Sequence, residues 1–158
     1  MKQLNLPGYS FRIIEDDGFR KIFDSVRKKF VKLTPEEWVR QNFITYLVRI
    51  LGYPVGLIAV EKAFRWNRFN RRTDILVHNR RGMPVMLIEC KAPDVRINAG
   101  VFDQVVCYNM KLNVPLLVVT NGIAHYACRV DGEPGNYTFL ETLPPYTEID
   151  NIIPPCDD

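Results

Sequence analysis

The spacing of hydrophobic positions divides the chain into an early part with a period near four and a later part with a period near two. Residues 1–18 carry Pro7-Gly8 and Asp16-Asp17-Gly18 and read as an irregular arm, with a short strand at 11–14. Phe19, Ile22, Phe23, Val26 and Phe30 then recur at three- and four-residue intervals, with Arg20, Lys21, Arg27, Lys28 and Lys29 between them, which predicts an amphipathic helix. Thr34-Pro35-Glu36-Glu37 predicts the start of a second helix: a capping threonine, a proline at the first helical position and a glutamate at the capping-box position. Val39, Phe43, Tyr46, Leu47 and Ile50 would form its buried stripe, and Gly52-Tyr53-Pro54 would end it.

Beyond Pro54 the alternation is that of strands. Segments 57–64, 73–78 and 84–90 are strand candidates, the last with the near-continuous apolar run expected at the centre of a sheet. A third helix fits 99–112, with Val101, Val105, Tyr108 and Leu112 on one side. Strands at 115–120 and 124–130 follow, joined by a tight turn at Asn121-Gly122. The order predicts an α/β sandwich. One domain over 19–142 would follow the arm, and a proline-rich acidic tail, 143–158, would lie on its surface.

Composition narrows the class. Hydrophobic residues at 47% and charged residues at 25% exclude wholesale disorder, a collagen-like repeat and a disulfide-scaffold mini-protein. No apolar run approaches the ~18 residues of a membrane span, and the first residues lack a signal peptide's apolar stretch, so the expected location is cytoplasmic, with no membrane partner. Cys90, Cys107, Cys128 and Cys156 include no C-x-x-C pair, and His78 and His125 are the two histidines, which argues against a zinc site or disulfide framework. The net charge of +3 conceals an asymmetry. Seven of the 18 acids, and none of the 21 lysines and arginines, lie from Asp131 onward, so residues 1–130 carry a balance of +10. Such a body suits a polyanionic partner.

The candidate chemistry lies where charges interrupt buried strands, in Arg72-Thr73-Asp74-Ile75-Leu76-Val77 and Leu87-Ile88-Glu89-Cys90-Lys91. Glu89 and Lys91, two apart in an extended chain, project from the same face. If the two strands form a hairpin over a two-residue Arg81-Gly82 loop, residues whose numbers add to 163 face each other, which sets Asp74 against Glu89. Facing Cβ atoms in such a pair stand roughly 5 Å apart. Two carboxylates that close need a cation or a proton between them, and their oxygens suit Mg2+ or Mn2+. Lys91 could orient an attacking water and stabilise charge growing on a phosphate. The competing reading is an ion-pair ladder in which Lys91 neutralises both acids.

The pattern Asp-x14-Glu-x-Lys, after a helix bearing Glu37, resembles the PD-(D/E)XK nuclease superfamily, and within it the N-terminal nuclease domain of type I restriction enzyme R subunits. The motifs PEEWVRQ, LGYP, a lone Glu61 before a basic stretch, RTDILV, LIECKAP, DQVVCY and VVTNG carry the resemblance over residues 19–130. It implies a restriction-endonuclease-like sandwich, a central mixed sheet with helices on both faces. It also implies that Asp74 and Glu89, with the Cys90 backbone carbonyl, bind the metal and that Lys91 positions the hydrolytic water. Glu37 corresponds to the additional helix acid of many such sites, with the capping box as its competing role and Glu36 as the alternative acid. Gln104 and Tyr108, one turn apart, match the Q-x-x-x-Y pair of the RecB-like branch.

R subunits couple this domain to a translocating helicase, and the chain contains no G-x-x-x-x-G-K-[ST] loop, so the expectation is a stand-alone relative or a fragment, with a helicase or other restriction-complex subunits as partners. The stretch from Lys62 to Arg72 holds five cations and three aromatics in eleven residues. It reads as a DNA-contacting loop through Lys62, Arg65, Trp66, Arg68, Arg71 and Arg72, or as a solvated strand end. The expected function is Mg2+-dependent DNA endonuclease; the alternative is a non-catalytic DNA-binding or partner-docking module on the same scaffold.

Overall fold

The three- and four-residue spacing between residues 19 and 30 folds as strands rather than as the expected helix. The computed structural model describes residues 1–66, 69–130 and 136–149, with side chains described except at 64–71, 108 and 111. Ile13–Asp16 (β1), Phe19–Asp24 (β2) and Lys29–Lys32 (β3) form an antiparallel sheet in the order β1-β2-β3. Two turns decide this. Asp17 and Gly18 have φ of 51° and 73°, the left-handed pair that a tight hairpin turn requires and that Asp-Gly supplies. At the other end Asp24, wholly buried, accepts hydrogen bonds from the amides of Val26 and Arg27, both at 2.8 Å. These local bonds divert the backbone from the helical ladder. Phe23 and Phe30 face each other across β2 and β3, rings 5.3 Å apart, with the Arg12 guanidinium 4.8 Å over Phe23.

Pro35–Arg49 (α1) starts as the sequence indicates, with Thr34 Oγ1 accepting from the Glu37 amide at 3.0 Å. Its close is marked by Gly52 at φ 73° and by the Tyr53 amide donating to the Leu47 carbonyl. Ile50 departs from the predicted stripe: it lies past the last turn and is 56% exposed, while Ile44 is buried in its place. The helix also buries Glu37, Arg40, Gln41 and Asn42.

After a short 3-10 turn at Val55–Leu57 come Ile58–Trp66 (β4), Phe69–His78 (β5), Pro84–Cys90 (β6), Ala99–Leu112 (α2), Leu116–Thr120 (β7), His125–Val130 (β8) and Tyr137–Leu140 (β9). They build a six-stranded mixed sheet, order β4-β5-β6-β7-β8-β9, in which β6 and β7 are parallel across α2 and every other pair is antiparallel. Residue parity puts the helices on opposite faces. Val39, Phe43 and Leu47 of α1 pack with Ile75, Val77, Ile88 and Val118; Phe102 and Val105 of α2 pack with Leu76, Leu87, Leu117 and Val119. Apart from residues 67–68, which lie outside the described residues, the basic stretch is strand: its backbone belongs to the paired ends of β4 and β5, with Trp66 paired to Phe69. Strand β9 adds an edge that the sequence did not announce. Residues 143–149 return to the core, where the buried Tyr53 hydroxyl donates to the Pro144 carbonyl at 2.9 Å and Ile149 is buried.

The hairpin that matters most is β5–β6. Its pairs Ile75↔Ile88, Leu76↔Leu87 and Val77↔Met86 all add to 163, although the turn is not Arg81-Gly82 alone. Asn79 pairs with Met83, its Oδ1 accepting from the amides of Arg81 and Met83 at 3.0 Å each, and Gly82 takes φ 78°. That three-residue turn moves the register by one, and an irregularity between Val77 and His78 moves it back. The two departures cancel, so Asp74 still reaches the end of β6.

Candidate active site

The C-terminal end of β6 and the middle of β5 carry the acidic residues into contact with α1. Asp74 Oδ2 accepts from the Cys90 amide at 2.7 Å, and its Oδ1 from Arg40 Nη2 at 2.7 Å. Glu89, 6% exposed, accepts from Lys91 Nζ at 2.7 Å. The Lys91 amide donates to the Thr120 carbonyl, so the loop leaving β6 is tied to β7. Asp74 therefore meets the backbone at the end of β6, at the residue between Glu89 and Lys91, whose side chains pair with each other.

Electrostatics marks the group as short of positive charge. Burial, and after it the charge of Asp74, pushes the Glu89 carboxyl up to about 7 against the pull of Lys91. Burial and Asp74 likewise raise Glu36, against Arg40 and Lys91. Burial lowers the affinity of Lys91 for its proton, but the hydrogen bond to Glu89 and the surrounding acids outweigh it, so its pKa is raised. Of the two helix acids, Glu36 is the one whose carboxyl is raised by burial and Asp74 and drawn down by Lys91.

Glu37 belongs to a second layer behind the first. Its carboxylate accepts from Arg27 Nη2 and Gln41 Nε2 at 2.8 Å each and from Arg40 Nη1 at 2.5 Å, rather than closing a capping box on the Thr34 amide, which donates to the Lys32 carbonyl. Arg27 also binds Asp24 at 2.5 Å and Glu61 at 2.7 Å, and Arg40 lies 3.5 Å from Glu36 and from Glu61. A ladder thus runs Asp24–Arg27–Glu37–Arg40–Asp74, from the small sheet to the candidate site. Glu61 sits in β4 opposite the same stretch, between Val60↔Ile75 and Lys62↔Thr73, with a left-handed φ of 50°. A non-glycine residue in that conformation stores strain of order 1 kcal/mol or more.

Arg27, Arg40 and Gln41, which all bind the Glu37 carboxylate, do not stand out in the sequence. The signal for Arg40 was present: an arginine three and four residues after Glu37 and Glu36 on one helix. Arg27 could be found only by knowing that residues 19–30 make a hairpin. Of the DNA-contact candidates, Lys62 and Arg72 are exposed on β4 and β5; the side chains of Arg65, Trp66 and Arg71, and all of Arg68, lie outside the described residues. Gln104 is exposed on α2, off the apolar side formed by Phe102 and Val105, and the Tyr108 side chain lies outside the described residues.

Oxygen donors available to a cation are the carboxylates of Glu36, Asp74 and Glu89 and the Cys90 carbonyl. They are hard ligands of the kind that take Mg2+ or Mn2+. Among the described residues no three acidic, histidine or cysteine side chains stand ready as a cage, because Arg40 and the Cys90 amide hold both oxygens of Asp74. Two carboxylates with raised pKa, each raised by burial and by the charge of Asp74, are the condition that a cation or a proton would relieve.

No curated protein matches the chain. A solved structure does: the fragment structure of a putative HsdR subunit of a type I restriction enzyme from Vibrio vulnificus YJ016, at TM-score 0.56 and 20% identity, over 76% of this chain. The match spans 25% of that solved chain, and at this identity the likeness speaks to the fold. The family model for the type I restriction enzyme R protein N terminus matches residues 35–144, from the first residue of α1 through β9, and takes in Glu36, Asp74, Glu89 and Lys91. With that match covering more than two thirds of the sequence, the chain belongs to the family of type I restriction enzyme R protein N-terminal domains.

Proposed function

We propose that this domain is a PD-(D/E)XK-type, Mg2+- or Mn2+-dependent DNA endonuclease. The observation that carries the reading is the convergence of Asp74, Glu89 and Lys91 at the end of β6, with Glu36 alongside. Asp74, Glu89, Glu36 and the Cys90 carbonyl would hold the metal, which, when bound, supplies Lewis-acid stabilisation of the phosphate and a water of lowered pKa. Lys91 remains protonated, its charge held by Glu89, and is placed to orient the attacking water and to meet charge developing on a phosphoryl oxygen. Arg40 holds Asp74 in position from one side while Cys90 N–H holds it from the other. Glu37 braces Arg40 and takes no direct part. Exposed Lys62 and Arg72 would steer the phosphate backbone toward the acids. A helicase or other restriction-complex subunit would deliver the DNA.

The test is plasmid cleavage by the purified chain with Mg2+ or Mn2+, comparing wild type with Asp74→Ala, Lys91→Ala and Glu36→Gln. Loss of cleavage of 100-fold or more in the first two, on the order of one general acid–base contribution or greater, supports the mechanism. Activity surviving both overturns it.

A non-catalytic DNA-binding module is favoured by one observation, the full engagement of both Asp74 oxygens by protein donors. That reading requires salt-sensitive DNA binding that Arg72→Ala weakens and Asp74→Ala leaves unchanged.

A further inference from the structure

One cleft outside the acidic group has the chemistry to take a nucleobase. Asn98, Phe102, Asp103, Tyr126, Tyr137 and Phe139 help to line an open cleft of about 280 Å3 between the start of α2 and strands β8 and β9. Its rings touch one another: Phe102 lies 6.1 Å from Tyr126, 5.3 Å from Phe139 and 6.4 Å from Tyr137. Phe102 is the buried base of this group, while Tyr126, Tyr137 and Phe139 are 43%, 37% and 56% exposed. Scattered exposed apolar residues need no explanation, but three aromatic side chains gathered on one cleft do.

Sheet register ties this cleft to the site. Glu89 pairs with Val119 across β6 and β7, and Val119 with Tyr126 across β7 and β8. Partners in one row share a face, so Tyr126 stands on the same face as Glu89, two strand spacings or about 10 Å away. Val119 between them is wholly buried, so a DNA strand with a phosphate at Glu89 would pass over the protein that covers it and set a base over the rings no sooner than about three nucleotides on, at the stacked spacing of 3.4 Å. The basic β4–β5 hairpin lies on the opposite side of Glu89 from β8, so the acids stand between a phosphate-attracting arm and an aromatic platform. Asp103 at the cleft repels a phosphate but can accept a hydrogen bond from a base amino group, and Asn98 offers amide chemistry for a base edge. Charge therefore favours a base over backbone in this place.

We infer that the cleft formed by Phe102, Tyr126, Tyr137 and Phe139 stacks an unpaired base of the DNA held at Glu89, and that the preferred substrate carries a single-stranded or locally opened stretch. This rests on the reading of the Asp74–Glu89–Lys91 group as a DNA site. A duplex keeps its bases stacked inward and cannot present one to the rings without an unstacking cost.

Fluorescence anisotropy, run in EDTA and again with Ca2+ so that the acids are read without and with a hard cation, tests it with labelled single-stranded oligonucleotides and a blunt duplex of the same length. The full chain should bind the single strand more tightly. Tyr126→Leu/Phe139→Leu, which keeps apolar bulk and removes stacking, should weaken single-strand binding five-fold or more and leave duplex binding within two-fold. Tyr137→Leu, on the exposed edge strand, repeats the test should the double variant fold poorly. Unchanged single-strand affinity, or equal loss on both substrates, overturns the proposal; the second result would mark the patch as a packing surface for another protein segment. Because no step of the measurement is catalytic, it fails or succeeds independently of the cleavage assay.

Discussion

Arg40 shows how strongly one side chain can govern an acidic cluster. It is 5% exposed, and four carboxylates lie within 3.5 Å of it, those of Glu36, Glu37, Glu61 and Asp74. Burial alone would weaken its hold on a proton, but Asp74 and Glu37 reverse that, and its pKa is raised. Removing one partner of a buried ionic group costs about 3–5 kcal/mol, because the others are left as uncompensated charges. Arg40→Met is therefore expected to lower the unfolding free energy by about that amount in urea titration, with millimolar Mg2+ recovering part of it by neutralising the same acids. No recovery by Mg2+ would count against a metal at these carboxylates. The acids were legible in the sequence because charges ending apolar strands stand out; Arg40 was not, because an arginine on an amphipathic helix is assigned to solvent by default. His125 offers a separate, pH-dependent check. Burial lowers its pKa, partly offset by the Asn5 carbonyl 3.1 Å from Nε2, while Thr120 Oγ1 lies 2.7 Å from Nδ1. A histidine that binds its proton more weakly when folded contributes stability that is intact above the unfolded value near 6.5 and lost as pH falls through it. The fall in urea midpoint between pH 7.5 and 5.5 should be smaller in His125→Gln than in wild type; an equal fall in both would show that other groups carry the dependence.

At the level of elements, helix α1 was legible in detail and the strands before it were not. Thr34-Pro35 specifies a start by local chemistry, a side-chain acceptor for an orphan amide and a ring that needs no donor, and local chemistry is what a sequence displays. Thr34→Ala should cost about 1 kcal/mol, read as a fall of roughly 2–4 °C in melting temperature for a chain of this size. A loss below a few tenths of a kcal/mol would mean that the Glu37 contacts, not the cap, hold the first turn. Strands β2 and β3 escaped because apolar residues at three- and four-residue spacing read as a helix, whereas Phe19 is 53% exposed and Val26 lies in a turn held by Asp24, which accepts from the amides of Val26 and Arg27. The β5–β6 register was obtained from a wrong turn, since the three-residue loop and the irregularity at Val77 cancel. The side chains at the strand ends depended on the sum of those two effects, not on either one.

For the whole molecule, both ends of the described chain return to the sheet core, and that long-range packing is what sequence periodicity could not display. Leu143, Tyr146 and Ile149 join the α1-face core from one end; Leu4 and Leu6 join it from the other. The N-terminal segment is tied down at Lys2, whose carbonyl accepts from Trp38 Nε1 at 3.2 Å, and at Asn5. The Asn5 amide donates to the Gly122 carbonyl at 2.7 Å, and a Cβ placed on Gly122 would stand 2.7 Å from Leu4 Cδ2 and 3.2 Å from Val39 Cγ2. Gly122 thus serves twice, once for its φ of 80° in the turn between β7 and β8 and once as the floor on which Leu4 rests. These roles are separable by a thermodynamic cycle. Gly122→Ala in the full chain should cost the conformational strain, of order 1 kcal/mol, plus whatever packing Leu4 loses as it is displaced. In a chain lacking residues 1–6 the same substitution should cost the strain and the close approach to Val39 but not the clash with Leu4, so the two costs differ by the coupling between the segment and the turn. Urea unfolding of the four proteins measures that difference directly. Equal costs in both backgrounds would mean that Leu4 yields freely and that the N-terminal segment adds nothing to the stability of the β7–β8 turn beside Thr120, whose carbonyl holds Lys91.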